Sequence, residues 1–455
     1  MRPTQHLALL FSWSAALALT GLAGCDAPSP PPSFILVSLD TTRADHLGAY
    51  GYERDTTPFL DELAQRAFVF NQAIANSHNT LVSHASLLTG LSPLAHGARP
   101  LDGGRAIAPA YQTLAEDLAS HGYRTAAFLA HADWLSVRFG FDQGFGNFAS
   151  KYRSAERVLR QAKRWLSRQT FESPYFLFIH LYDVHSDWLG EPYNAPEPFR
   201  EKFSTAAFNL KGMRGSDYLG EVNRGKIGIT PVEVELLRDQ YDEGLAFVDH
   251  RLKLFFDSLS GEMLKNTWII ILADHGEGFM EHGKLLHASL HDEIVRVPLL
   301  VVPPLAGDDL RQTPVRVEEQ VRLIDLRPTV LSLARLPRPT DIEGVDLVPC
   351  MRNADACPSH PATLNDLGLR FEGFKLLRHE SGAYLYDLKK DPGEQTDLSL
   401  RPEMRERIAE LDALLDDLAA DQEAMRQRIL RGAESPAVEM DPEAEERLRS
   451  LGYVQ

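Results

Sequence analysis

The chain predicts an α/β fold: a large, mostly parallel central sheet flanked by helices, followed by a small antiparallel-sheet subdomain and a helical tail. Three observations carry this. Apolar runs of strand length alternate with stretches of helical periodicity. Two of those runs end in an aspartate. The residue style changes after about residue 337, where Pro337, Pro339 and Gly344 punctuate the chain.

The predicted strands are 34–40, 125–130, 175–181, 268–273 and 298–303. Continuous apolar runs of this kind suit strands covered on both faces. Helical patterns fall at 57–67, 80–89, 111–121, 154–168, 232–259 and 324–335. Residues 190–230 are broken by Gly and Pro and read as an insertion over the sheet edge. Beyond 337, the segments 369–378 and 383–388 with turn residues between them suggest antiparallel strands. Residues 401–432 are rich in Glu, Arg, Leu and Ala at helical spacing. The expected organisation is therefore a targeting segment over 1–25, a Pro-rich tether over 26–33, a catalytic α/β domain over 34–336, a subdomain over 337–400 and a helical tail over 401–455.

The 455 residues carry 64 acidic against 47 basic side chains, a net charge of −17, and no Lys/Arg block stands out. Nucleic-acid binding is therefore not expected. At the amino terminus Arg2 precedes an apolar run from Leu7 to Ala23, which ends Leu22-Ala23-Gly24-Cys25. This resembles a bacterial lipobox, with Cys25 as the lipidated first residue of the mature chain. A chain exported and lipid-anchored on the periplasmic side of the cell envelope, with its substrate among envelope lipids or glycans, is the expectation. Cys350 and Cys357, seven positions apart in a loop-like stretch of an exported chain, are expected to close a small disulfide loop.

The chemistry is read from the two aspartates. Asp40 closes Phe34–Leu39, and Asp274 closes Trp268–Ala273 and precedes His275. Open parallel sheets bind ligands at the carboxyl ends of their strands. If the two strands are neighbours, Asp40, Asp274 and His275 converge as the start of a metal site. The helix pattern Thr80–Thr89, closed by Gly90, puts Thr80 where an N-cap belongs. A hydroxyl there lies in the positive end of the helix dipole, which favours an alkoxide and binds an anion.

In order, the chain reads Leu39-Asp40-Thr41-Thr42-Arg43-Ala44-Asp45-His46, then Thr80 to Gly90, Pro93 to Gly97, Gly122 to Thr125, Phe141 to Phe145, His180 to His185, Ala273-Asp274-His275-Gly276-Glu277, Arg296 to Leu299, Leu385 to Leu388, Asp391 to Glu394 and Leu451 to Tyr453. This series resembles the sulfatase family of the alkaline phosphatase superfamily, over residues 34–453. The resemblance implies an alkaline phosphatase/sulfatase-like fold, a hydrolase of ester bonds and a divalent metal. The departures are specific. Where the family carries Cys or Ser in C/S-x-P-x-R, oxidised to formylglycine, this chain has Thr80-Leu81-Val82-Ser83-His84, and threonine would oxidise to a ketone instead of an aldehyde. The family's Asp-Asp pair is reduced to Asp40-Thr41. Two aspartates, a histidine and an alkoxide favour one Zn²⁺ or Mn²⁺ over Ca²⁺.

The resemblance therefore implies Asp40, Thr80, Asp274 and His275 as metal ligands, with Thr80 as nucleophile on an anionic phosphate ester, including phosphodiesters. His185 and His287 would contact the substrate's oxygens and leaving group, Arg43 would hold Thr80 or Asp40, and His84 would face the pocket. A second ion on Asp183, His185 and His287 is the less favoured arrangement. His46, His78, His96, His131 and His282 lie near matched segments. The rival readings are a sulfuric ester hydrolase without formylglycine and a non-catalytic metal-binding protein that kept the fold.

Overall fold

The computed structural model describes residues 30–100, 104–130, 133–170, 173–186, 192–193, 195–204, 210, 212–306 and 315–438. Cys25, His131 and residues 451–453 lie outside these, as do the whole targeting segment and parts of 190–230. Fifteen strands are present among the described residues. They are β1 (Ser33–Leu39), β2 (Phe68–Ile74), β3 (Arg124–Ala130), β4 (Asn147–Tyr152), β5 (Tyr175–Leu181), β6 (Thr267–Leu272), β7 (Gly278–Phe279), β8 (Leu285–Leu286), β9 (Arg296–Val297), β10 (Leu299–Val302), β11 (Val315–Arg322), β12 (Ala362–Leu364), β13 (Gly368–Phe371), β14 (Phe374–His379) and β15 (Gly382–Asp387).

The central sheet runs β11-β2-β10-β6-β1-β5-β3-β4, with β9 also paired to β2. β1 pairs in parallel with β5 on one side and β6 on the other. β10 is antiparallel to both β6 and β2, so the sheet is mostly parallel. Every residue of β1, β5 and β6 is buried. The alternation is visible in the two cores. Phe34, Leu36, Phe176, Phe178, Trp268 and Ile270 face one layer, while Ile35, Val37, Leu177, Ile179, Ile269 and Ile271 face the other. Covering both faces is what makes these strands read as unbroken apolar runs, and each fully buried large side chain contributes about 1.5–3 kcal/mol.

On the first face lies the helix Thr80–Thr89, all ten residues buried. Leu81, Ala85 and Leu88 belong to that core. Its cap is Asn79, whose side chain accepts from Leu81 N and Val82 N, so Thr80 is the first helical residue and not the cap. Gly90 ends the helix at φ 67°, and a Cβ there would also meet the Arg327 side chain at 3.3 Å. On the other face the helix Pro231–Asp257 starts in a capping box of Thr230 and Glu233 and buries Leu237, Leu245 and Leu252.

The second sheet, β12-β13-β14-β15, is antiparallel throughout. The helix Arg405–Leu430 packs Leu411 and Leu415 on its Leu369, Leu376 and Leu385. Fully buried Lys375 ties this sheet to the segment before β9 through Asp292 at 2.5 Å, and also pairs with Glu394, after β15, at 2.9 Å. Cys350 and Cys357 are disulfide-bonded, with Cα atoms 4.5 Å apart.

Candidate active site

Because β1 and β6 are neighbours, their carboxyl ends deliver Asp40 and Asp274 together. Asp40 is 0% and Asp274 1% exposed. Asp40 Oδ1 and both Asp274 carboxylate oxygens have no hydrogen-bond partner. Two buried carboxylates in this state repel one another. Burial, and then Asp274 itself, pushes Asp40 up to about 7. Burial pushes Asp274 upward too, but His275, His84 and His180 together hold it below its ordinary value, so Asp274 carries the charge.

His275 completes the set. Its Nδ1 donates to the Gly276 carbonyl at 3.0 Å, which turns Nε2 toward Thr80 and the acid pair. Nε2 lies 3.5 Å from Asp274 Oδ2 and 3.2 Å from Thr80 Oγ1. The turn that places it needs Gly276, since a Cβ there would stand 2.0 Å from the Glu293 carbonyl oxygen. One ligand atom each from Asp40, Asp274 and His275 falls within 4.8 Å of the others. Orphaned buried carboxylate oxygens, an outward-fixed imidazole lone pair and a hydroxyl together fit a divalent cation.

Thr80 is fully buried at the helix start, one turn from His84. His84 Nδ1 donates to the Thr80 carbonyl at 2.7 Å, and Nε2 accepts from the Ser38 hydroxyl at 2.9 Å. Burial pushes His84 down, in keeping with that neutral tautomer. Both nitrogens are thus engaged within the protein, and His84 fixes the backbone that carries Thr80.

His185 and His287 are both fully buried near the site. Their ring centres are 5.4 Å apart, and His287 stands 4.6 Å from His275. His287 Nδ1 lies 3.4 Å from Glu277 Oε1. Burial and then the neighbouring His275, His185 and His78 hold His287 well below its ordinary value. Glu277, to which no role was assigned from sequence, is fully buried and pushed up to about 8 by burial. His180 was also passed over. Its Nε2 lies 2.9 Å from Asp40 Oδ2, and the sequence signal is a histidine inside the apolar run Tyr-Phe-Leu-Phe-Ile-His-Leu.

Arg43 corrects the sequence reading. It contacts neither Thr80 nor Asp40 in hydrogen-bond range. Its guanidinium forks onto Asp45 at 2.8 and 2.9 Å and reaches Glu281 at 2.7 Å and the Glu277 carbonyl at 3.0 Å. The turn at Thr41, φ 54°, sends the chain off in this direction, and Tyr241 hydroxyl braces it by donating to Thr41 O and accepting from Arg43 N, each at 2.8 Å. Arg43→Ala takes the guanidinium from half-exposed Asp45 and leaves Glu281 with Arg238 alone at 3.1 Å, and is expected to cost about 1–3 kcal/mol of stability without changing the metal content. Urea unfolding and metal analysis check this.

Asp183 is the second correction. Both its oxygens accept from Ala155 N, at 3.0 and 2.8 Å, so it anchors the start of the helix Ala155–Leu166 and is not turned toward His185 and His287 as a ligand. His46 pairs with Asp242, His96 with the Ser86 hydroxyl and His282 with Glu293. His78 is pushed down to about 4 by burial and by His275, which puts it close to the site. It also lines a cleft of 280 Å³ with Asn79, Arg99, Asn365 and Arg426.

A doubly covered, mostly parallel sheet with an acid pair and an imidazole at its strand ends and a hydroxyl at a facing helix start has the architecture of the alkaline phosphatase-like fold. The chain belongs to the sulfatase family: the family model described as Sulfatase matches residues 32–336, and that of the N-sulphoglucosamine sulphohydrolase C-terminal region matches residues 280–421. It is accordingly a sulfatase-family hydrolase. It is similar to the Delta 4,5-hexuronate-2-O-sulfatase of Bacteroides thetaiotaomicron, at 24% identity over 87% of this chain and 91% of that one. It is similar also to the arylsulfatase K of Gallus gallus, at 26% over 88% and 85%. Among solved structures, the phosphonate monoester hydrolase of Agrobacterium radiobacter superposes with a TM-score of 0.63 at 20% identity, covering 88% of this chain and 96% of that one.

Proposed function

We propose that this chain is a metal-dependent phosphate-ester hydrolase or transferase whose nucleophile is the unmodified Thr80 hydroxyl. The observation that carries the reading is the placement of that hydroxyl, at a helix start and 3.2 Å from His275 Nε2 beside the acid pair. A divalent ion on Asp40, Asp274 and His275, Zn²⁺ or Mn²⁺ by the mixed donor set, supplies the charge that acidifies the hydroxyl and polarises the phosphorus. Thr80 Oγ1 gives its proton to a water molecule and attacks phosphorus in line with the ester oxygen. The bond to the alcohol breaks, and the phosphoryl group then passes from Thr80 to water or a second alcohol, which restores the hydroxyl.

His287 faces the leaving group in this reading. Burial keeps it neutral by itself, but an anionic ester beside it raises its proton affinity, and the alcohol oxygen takes the proton so gained as it departs. His287→Ala is expected to lower kcat/KM about 100-fold or more for alkyl esters, and much less for nitrophenyl esters, whose leaving groups need no proton. Equal losses on both would remove the acid role. The 280 Å³ cleft beside His78 has room for the alcohol, and Arg99 and Arg426 on its wall suit an anionic or polyhydroxylated one such as a sugar. With Cys25 lipidated, the substrate would lie at the cell envelope.

A sulfate-ester reading is favoured by one observation, the names of the relatives, which include a hexuronate sulfatase. Threonine supplies no aldehyde hydrate to eliminate sulfate, which favours phosphate. The test is turnover of aryl phosphate monoester, phosphodiester, phosphonate and sulfate with Zn²⁺ or Mn²⁺ added. Sulfate turnover alone would replace the phosphate reading. A wild-type chain that takes up no ion would support the non-catalytic reading.

A further inference from the structure

We propose that His180 is a positioning residue for the metal ligand Asp40: its Nε2–H holds Asp40 Oδ2, which leaves Oδ1 as the one oxygen presented to the ion. This rests on the metal reading of the site and on no choice of substrate. The Nε2–Oδ2 distance is 2.9 Å, both side chains are fully buried, and Oδ1 has no partner in the protein. Once an ion has displaced the Asp40 proton, the carboxylate offers only lone pairs, so the nitrogen facing it carries the proton.

The ring is placed by backbone on both flanks. His180 pairs with Ser38 on β1 and with Leu129 on β3, and Asp40 N donates to the Leu181 carbonyl at 2.9 Å. Ligand and holder are thus fixed by one parallel ladder. His84 closes the far side, its ring edge-on at 84° and 5.1 Å from His180. Without the hydrogen bond, Asp40 is free to rotate, to take a proton, or to turn both oxygens to the ion. Groups that orient a metal ligand in this way typically contribute about 10–100-fold in metal affinity.

The test uses the full chain, stripped of metal and titrated with Zn²⁺ and Mn²⁺ against a chromophoric chelator. His180→Ala and His180→Leu are expected to weaken metal binding about 10–100-fold. His180→Gln, whose amide N–H can reach the same oxygen, is expected to recover most of that loss. Cobalt(II) spectra of wild type and His180→Gln should coincide, because the ion's own ligands are unchanged. The Leu variant, close to the ring in bulk, stands in if the Ala variant fails to fold. Affinity within twofold of wild type in the Ala or Leu variant overturns the proposal. So does a His180→Gln variant that binds as poorly as Leu with a shifted cobalt spectrum, since His180 would then be a ligand itself. Failure of the metal reading as a whole looks different: wild type would bind no ion.

Discussion

Thr80→Ala is expected to lose turnover by at least about 10³-fold while keeping the wild-type fold. The second half of that expectation comes from a detail of the helix start. Asn79, not Thr80, caps the helix Thr80–Thr89, and the Thr80 hydroxyl makes no capping bond. Removing it therefore costs none of the roughly 1 kcal/mol that loss of a cap would, so the activity loss is chemical. Thr80→Ser keeps the hydroxyl and should keep part of the rate. The readout is kcat on a phosphate ester together with the urea midpoint. A Thr80→Ala chain that turned over at the wild-type rate would remove the nucleophile.

Metal removal is the second large effect, and its pH dependence has a definite sign. Asp40 rises from an ordinary 3.8 to about 7 in the metal-free fold, from burial and from Asp274. Between those values the folded chain holds a proton that the unfolded chain has released. This contribution to stability is fully present below about pH 4 and is lost as pH rises through 7. Glu277, pushed up to about 8 by burial, acts with the same sign. Asp274, held low by its histidines, is already ionised and available. A divalent ion must displace the Asp40 proton, so its affinity climbs across the same window. Chelation should abolish turnover, and the rise in Tm on adding Zn²⁺ should be small at pH 5 and large at pH 8. A Tm increment equal at both pH values would mean that Asp40 does not gate the ion.

The parts of the fold legible in the sequence were those where burial is symmetric. β1, β5 and β6 are apolar from end to end because helices cover both faces, and their terminal aspartates stood out against that background. The strands that escaped notice lack this signature. β4 is an edge strand with no buried residue, and β11 shifts register between Val317 and Gln320, which breaks its alternation. At the site, Asp40, Asp274 and His275 were expected to converge if their two strands were neighbours, and β1 and β6 are. Arg43 did not, because its direction depends on the left-handed turn at Thr41. Asp183 did not, because its partner is a backbone N–H twenty-eight positions earlier. Thr80 was displaced from the cap by one residue, a shift decided by the side chain of Asn79.

The most direct test of the central claim is mass spectrometry of the Thr80 peptide from wild-type chain mixed with a phosphate ester and quenched in acid. The account predicts an unmodified threonine before mixing and a phosphoryl group on Thr80 after it, absent from Thr80→Ala. Turnover with no phosphoryl group on that peptide at any mixing time, or a Thr80 already oxidised in the purified chain, would contradict it.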